Sequence, residues 1–209
     1  MLNKAILIII IVLNQIIIST LIRNPRALSE TYDTPEFPLI EQPDGITCGP
    51  TSTTMLLNYY GIEATVTSVK QRTKTHWFTY KGEAIGLTLP TYIQVALASY
   101  GIETQIETGT IRKLKHYVSE GRLPIVLVRS GQKTWHYVVV IGYDQDNILI
   151  ADPGWGERRK IATKTFNDAW SFTGNLEGDY FGSDFYGNIL RKVDLVNVTD
   201  HVLVVPRTS

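Results

Sequence analysis

Gln42-Pro43-Asp44-Gly45-Ile46-Thr47-Cys48-Gly49-Pro50-Thr51 is the stretch on which the reading of this chain turns. It holds the chain's one cysteine and leads into Thr51–Tyr60, where Met55, Leu56 and Tyr59 repeat with helical spacing. Pro50 suits a first-turn position and Gly61 a helix exit. A thiol at the head of a helix sits at the positive end of the aligned peptide dipoles, which favours thiolate over thiol. Gly49 is expected to leave the sulfur side open to a substrate. A lone cysteine also serves as a small buried hydrophobe, so Cys48 needs company before it signifies chemistry.

Two later residues supply it. His136 opens the β-rich run His136–Tyr143 and Asp152 closes the run Ile148–Asp152, with Asp144-Gln145-Asp146-Asn147 between them as a hairpin turn. A register that sets His136 opposite Asp152, or one diagonal step away, points both side chains to one face within reach. A register shifted by one residue points them to opposite faces. A carboxylate beside an imidazole fixes its tautomer and stabilises the imidazolium, which in turn stabilises a thiolate. Gln42, a few residues before Cys48, carries an amide that can donate to a developing oxyanion beside the Cys48 N–H. Singly, these are a satisfied histidine, a strand-ending Asp-Pro-Gly turn and a surface glutamine. It is the joint pattern that argues for chemistry.

Outward from this group, the first half of the domain reads as helical. Thr88–Tyr100 and Thr110–Glu120 carry apolar stripes that end at Gly101 and Gly121, with a short alternating strand at Ile102–Glu107 between them. Trp77-Phe78-Thr79-Tyr80 reads as a strand or a cleft wall. Sheet follows: Leu123–Val128, the hairpin, and a last strand at His201–Val205, with a helical turn or two at Phe166–Phe172. Helices first and strands later describe an α+β domain, expected to span residues 37–209. Arg158-Arg159-Lys160 and Arg112-Lys113-Lys115 read as solvated faces. Trp135 adjoins His136 and reads as a cleft wall, while Trp77, Phe78 and Trp155 are at least as well explained as core.

The chain has 209 residues, 44% hydrophobic and 19% charged, which excludes disordered, collagen-like and coiled-coil classes. Twenty basic and twenty acidic side chains cancel, so no global field draws nucleic acid, and none is expected as a partner. One cysteine excludes a disulfide framework and a cysteine-cluster metal site. Residues 1–22, a short basic start and an apolar run, read as a signal peptide or an N-terminal membrane anchor, with a hydrophobic core element as the third possibility. Either of the first two puts the domain outside the cytoplasm, secreted or attached to a membrane through residues 2–22. Residues 23–36 read as a linker.

Cys48-Gly49-Pro50-Thr51-Ser52 followed by Leu57-Asn58-Tyr59-Tyr60-Gly61 resembles the nucleophile helix of papain-like cysteine peptidases related to the double-glycine, bacteriocin-leader-processing group. His136-Tyr137-Val138-Val139-Val140-Ile141-Gly142-Tyr143-Asp144 and Ile150-Ala151-Asp152-Pro153 resemble that group's His and Asp elements, and Phe166 and Trp170 an aromatic pair after them. The resemblance covers roughly residues 40 to 172. It implies a papain-like fold with the nucleophile helix packed on an antiparallel sheet, and a peptide or protein substrate. It implies Cys48 as nucleophile, His136 as general base and acid, Asp152 as its orienter and Gln42 as oxyanion donor, with no cofactor. Thr47 stands where leader-processing relatives often carry an Asp, and no ATP-binding cassette follows, so a stand-alone secreted or anchored relative is expected. Acyl transfer or amide hydrolysis on the same triad, and a non-catalytic peptide-binding module, are the alternatives.

Overall fold

The computed structural model describes residues 30–73, 75–80, 83–129, 135–171 and 201–207. The apolar residues 2–22 and all of residues 172–200 lie outside them, so the signal or anchor reading concerns residues the structure does not describe. Among the described residues, no helix is long and apolar enough to cross a membrane.

The first helix, α1 (Cys48–Tyr59), starts three residues earlier than its apolar spacing indicates, so Cys48 is its first residue. Gly49 through Leu57 are all buried. Such a helix is surrounded by core rather than laid on a surface. Its hydroxyls permit this by bonding to nearby carbonyls: Thr53 Oγ1 donates to Gly49 O at 2.9 Å and Thr54 Oγ1 to Pro50 O at 2.8 Å. Helices α2 (Val66–Arg72), α3 (Pro90–Ser99), α4 (Ile111–Ser119) and α5 (Thr163–Trp170) complete the helical part among the described residues. The sequence reading contains no counterpart of α2, which starts at a reciprocal cap between Thr65 and Ser68.

Seven of the described strands form one antiparallel sheet. They are β1 (Tyr32–Asp33), β4 (Thr104–Thr108), β5 (Ile125–Arg129), β6 (Trp135–Tyr143), β7 (Asn147–Asp152), β8 (Glu157–Ala162) and β9 (Val202–Pro206). The order is β4-β9-β5-β6-β7-β8, with β1 paired to the far end of β6. Strands β2 (His76–Tyr80) and β3 (Glu83–Leu87) make a separate hairpin, which settles the Trp77–Tyr80 stretch as strand. Helices on an antiparallel sheet are the α+β arrangement expected. Two stretches behave differently from their composition. Tyr32–Asp33, within the stretch read as linker, pairs with Tyr143 and Gly142. The charged run Glu157–Ala162 is the edge strand β8, where charge on an open edge discourages pairing with other chains.

The β6–β7 hairpin sets the geometry of everything that follows. Its turn is closed by Asp144, whose Oδ1 accepts from the N–H groups of Asp146 and Asn147. Near the turn, Tyr143 lies opposite Ile148 and Gly142 opposite Leu149. Beyond it, Val140 lies opposite Ile150 and Val139 opposite Ala151, so Ile141 is an extra residue in β6. Gly142, beside this bulge, has no room for a side chain. A Cβ there would stand 2.6 Å from the Tyr32 carbonyl oxygen and 3.1 Å from the Asp33 Cα. Gly142→Ala is therefore expected to push β1 off the sheet and lower unfolding free energy by about 1–3 kcal/mol. Urea denaturation checks this, and a midpoint equal to wild type contradicts it.

Candidate active site

The bulge fixes which face His136 occupies. With Val139 opposite Ala151, Asp152 falls opposite Val138, and His136 lies one diagonal step away on the same face. Continued without the bulge, the register at the turn would bring Val139 opposite Asp152 and turn His136 to the other face. In the fold observed, His136 Nε2 stands 2.6 Å from Asp152 Oδ1, a charge-assisted contact when the ring is protonated. Gly154 lies close against this pair: its N–H donates to Asp152 Oδ1 at 2.9 Å, and a Cβ there would sit 3.5 Å from the imidazole.

Cys48 reaches the same imidazole from α1. The helix packs on β6 and is pinned there by Ser52 Oγ, which donates to the buried Tyr137 carbonyl at 3.1 Å. Tyr137 in turn donates its hydroxyl to Thr88 O at 2.9 Å, tying the start of α3 to the same place. Gly49 takes part in this packing, which corrects the expectation that it opens the sulfur to substrate. A Cβ at Gly49 would lie 2.9 Å from the Thr88 methyl, so the missing side chain makes room for Thr88. Beside Asp152, which holds Nε2, the Cys48 thiol is the second group close enough to the imidazole to raise its pKa.

Gln42 joins these elements through the backbone. Its N–H donates to Pro153 O at 2.7 Å, linking the segment before Cys48 to the turn after Asp152. Its side-chain Nε2 donates one proton to the Asp44 carbonyl at 2.6 Å and keeps a second. Asp44 is itself held by Lys70 of α2, Nζ to Oδ2 at 3.0 Å.

The electrostatics follow from burial and these contacts. Burial pulls the His136 imidazole down, but the Asp152 hydrogen bond and the Cys48 hydrogen bond and charge outweigh it and raise its pKa to about 9. Burial raises the Asp152 carboxyl, yet His136, Arg159 and the Gly154 N–H bring it down to about 2. An imidazolium held between a carboxylate and a thiol can stabilise a thiolate and later give up its proton.

Sequence reasoning missed Arg159. Its Nη1 donates to Asp152 Oδ2 at 2.5 Å, so the solvated face expected for Arg158-Arg159-Lys160 is only partly solvated. Arg158 bonds the Thr34 carbonyl and Asp33, and Lys160 pairs with Asp144. The available signal was the four-residue stretch Pro153–Gly156 after Asp152, short enough to return the chain as a hairpin. Trp155 within it is 67% exposed, against the core reading. Trp135 is half-buried at the head of β6, beside His136.

A papain-like cysteine peptidase is the class that this fold and this thiol–imidazole pairing define. The profile of the Peptidase_C39 like family matches residues 34–177, and the chain belongs to that family. An uncharacterized protein of Methanothermobacter marburgensis is 29% identical over 141 residues, which cover 66% of this chain and 84% of that protein. The peptidase domain of Streptococcus ComA, a bifunctional ABC transporter of a quorum-sensing pathway, superposes with a TM-score of 0.54 at 25% identity. That match covers 66% of this chain and 94% of the ComA domain. A C39-like peptidase of Bacillus anthracis superposes with a TM-score of 0.62 at 18% identity, over 87% of this chain and 100% of that one, a likeness of fold.

The two shifted groups couple the site to stability. His136 titrates near 9 folded against 6.5 for the free side chain, so its contribution is full below 6.5 and lost as pH rises through 9. Asp152, near 2 against 3.8, contributes above 3.8 and loses this as pH falls through 2. Asp152→Asn is therefore expected to lower the thermal midpoint most between pH 3.8 and 6.5, with the gap narrowing above pH 9. Calorimetry from pH 4 to 10 measures this, and a gap constant across the range contradicts it.

Proposed function

We propose that this cysteine peptidase works through Cys48, His136 and Asp152 as a catalytic triad, with Gln42 and the Cys48 N–H as its oxyanion donors. The observation that carries the reading is the imidazole held at 2.6 Å by Asp152, with the Cys48 thiol close enough to raise its pKa further. The Cys48 thiolate attacks the carbonyl carbon of a peptide or isopeptide bond, and the carbonyl oxygen takes the negative charge. The N–H of a helix's first residue has no intrahelical partner, so the Cys48 N–H is free to bond that oxygen. The second Nε2 proton of Gln42 supplies the other hydrogen bond. His136 then protonates the leaving amine as the C–N bond breaks, which yields a thioester on Cys48. Water, deprotonated by His136, attacks the thioester and releases the acid and the thiolate.

The apolar residues 2–22 support a secreted or membrane-anchored location, with the peptidase domain outside the cytoplasm. Protease accessibility of the domain on intact cells tests that placement, and full protection contradicts it.

Digestion of a peptide library by the full chain, read by mass spectrometry, tests the mechanism. Wild type is expected to generate new termini that Cys48→Ala does not. Gln42→Ala should retain the cleavage pattern with turnover lowered about 10²–10³-fold, the cost of losing one oxyanion donor at comparable sites. Unchanged turnover removes Gln42 from the mechanism. An added primary amine identifies acyl transfer instead if it captures most of the acyl groups ahead of water.

A further inference from the structure

Asp152 is 2% exposed, and each of its oxygens has its own work. Oδ1 faces His136 Nε2 at 2.6 Å and accepts the Gly154 N–H at 2.9 Å. Oδ2 accepts Arg159 Nη1 at 2.5 Å. The β7–β8 register makes that contact: Asp152 lies opposite Glu157 and Ile150 opposite Arg159, so Arg159 is one diagonal step from Asp152 on the same face. The Arg159 side chain is 46% exposed, so water screens its charge. What survives screening is direction, because a guanidinium donates along fixed lines and a carboxylate that accepts it loses freedom to rotate.

We propose that Arg159 is a positioning residue for the reaction: it locks the plane of the Asp152 carboxylate so that Oδ1 stays aimed at His136 Nε2. The proposal rests on the reading of Cys48, His136 and Asp152 as the triad. Without Arg159, Oδ2 would be buried with no donor, and the carboxylate would turn to share the Gly154 N–H and His136 between both oxygens. The hold on the imidazolium would weaken. The charged and titratable groups around Asp152 are His136 from β6, Arg159 and the exposed Glu157 from β8, and Cys48 from α1 beyond the imidazole.

The sign of one measurement separates positioning from simple charge. Removing a nearby cation stabilises an imidazolium and raises its titration midpoint, whereas releasing the carboxylate lowers it. In the full chain, the His136 Cε1–H resonance is titrated by NMR, and the rate of Cys48 alkylation by iodoacetamide is measured at pH 6. Arg159→Met is expected to lower the His136 midpoint by about half a unit or more and to slow alkylation several-fold. Arg159→Lys, which keeps a charged donor but not the fixed lines of a guanidinium, is expected to restore only part of both. Arg159→Gln, neutral and shorter, should behave as the methionine variant does and carries the test if that variant does not fold. In an Asp152→Asn background, Arg159→Met should change nothing further. A His136 midpoint that rises or stays put in Arg159→Met, while Asp152→Asn lowers it, overturns the positioning role alone. Asp152→Asn with midpoint and alkylation both unchanged overturns the triad reading instead.

Discussion

One extra residue in β6 decides which face of the sheet carries the imidazole. The hairpin turn sets one register at Tyr143 and Gly142, and the bulge at Ile141 sets another from Val140 onward. Side chains alternate along a strand, so the bulge reverses the facing of every residue from Val140 back to Trp135. His136 thereby shares a face with Asp152. The same offset lets β1 dock beside Gly142, where the glycine leaves space for the Tyr32 carbonyl. The alignment of the proposed catalytic residues and the attachment of the lead-in thus depend on the same irregularity.

Around this hairpin, three other segments converge. Helix α1 delivers Cys48 at its first residue and is bonded to β6 through Ser52, one strand position from His136. The segment before α1 is bonded to the turn after Asp152 through Gln42 and Pro153. Strand β8 returns along β7 and brings Arg159 against Asp152. Each element carries one polar group to the site, and each is fixed by backbone pairing or a buried hydrogen bond. Burial explains why these contacts matter: His136 and Asp152 would both lose charge in this environment if they stood alone. Their pairing reverses the effect of burial on both groups.

Much of this was legible in the chain, because periodicity and turn chemistry are local. Met55, Leu56 and Tyr59 mark α1, and Asp144 to Asn147 mark the turn that Asp144 does close. The face shared by His136 and Asp152 was legible only as a condition on register, since the parity of a hairpin depends on whether a bulge lies within it. Gly142, a glycine directly after the β-branched run Val138–Ile141, was the available sign of one. Strand β8 was hidden because Glu157-Arg158-Arg159-Lys160 is charged at successive positions, as an edge strand can be and a buried strand cannot. The part played by Gly49 was hidden for a different reason. Whether a missing side chain admits a substrate or a neighbour depends on a partner 39 residues away in the chain, Thr88.

In the proposed mechanism His136 and Cys48 act as one unit, poised by Asp152. The most direct measurement is the rate of Cys48 alkylation by iodoacetamide at pH 6 and pH 9, in wild type and in His136→Ala. Rapid alkylation of wild type is expected at pH 6, with a large loss of that rate in His136→Ala and little difference between the two at pH 9. A rate at pH 6 that His136→Ala leaves unchanged would mean that Cys48 reacts without its imidazole, and the mechanism would fail.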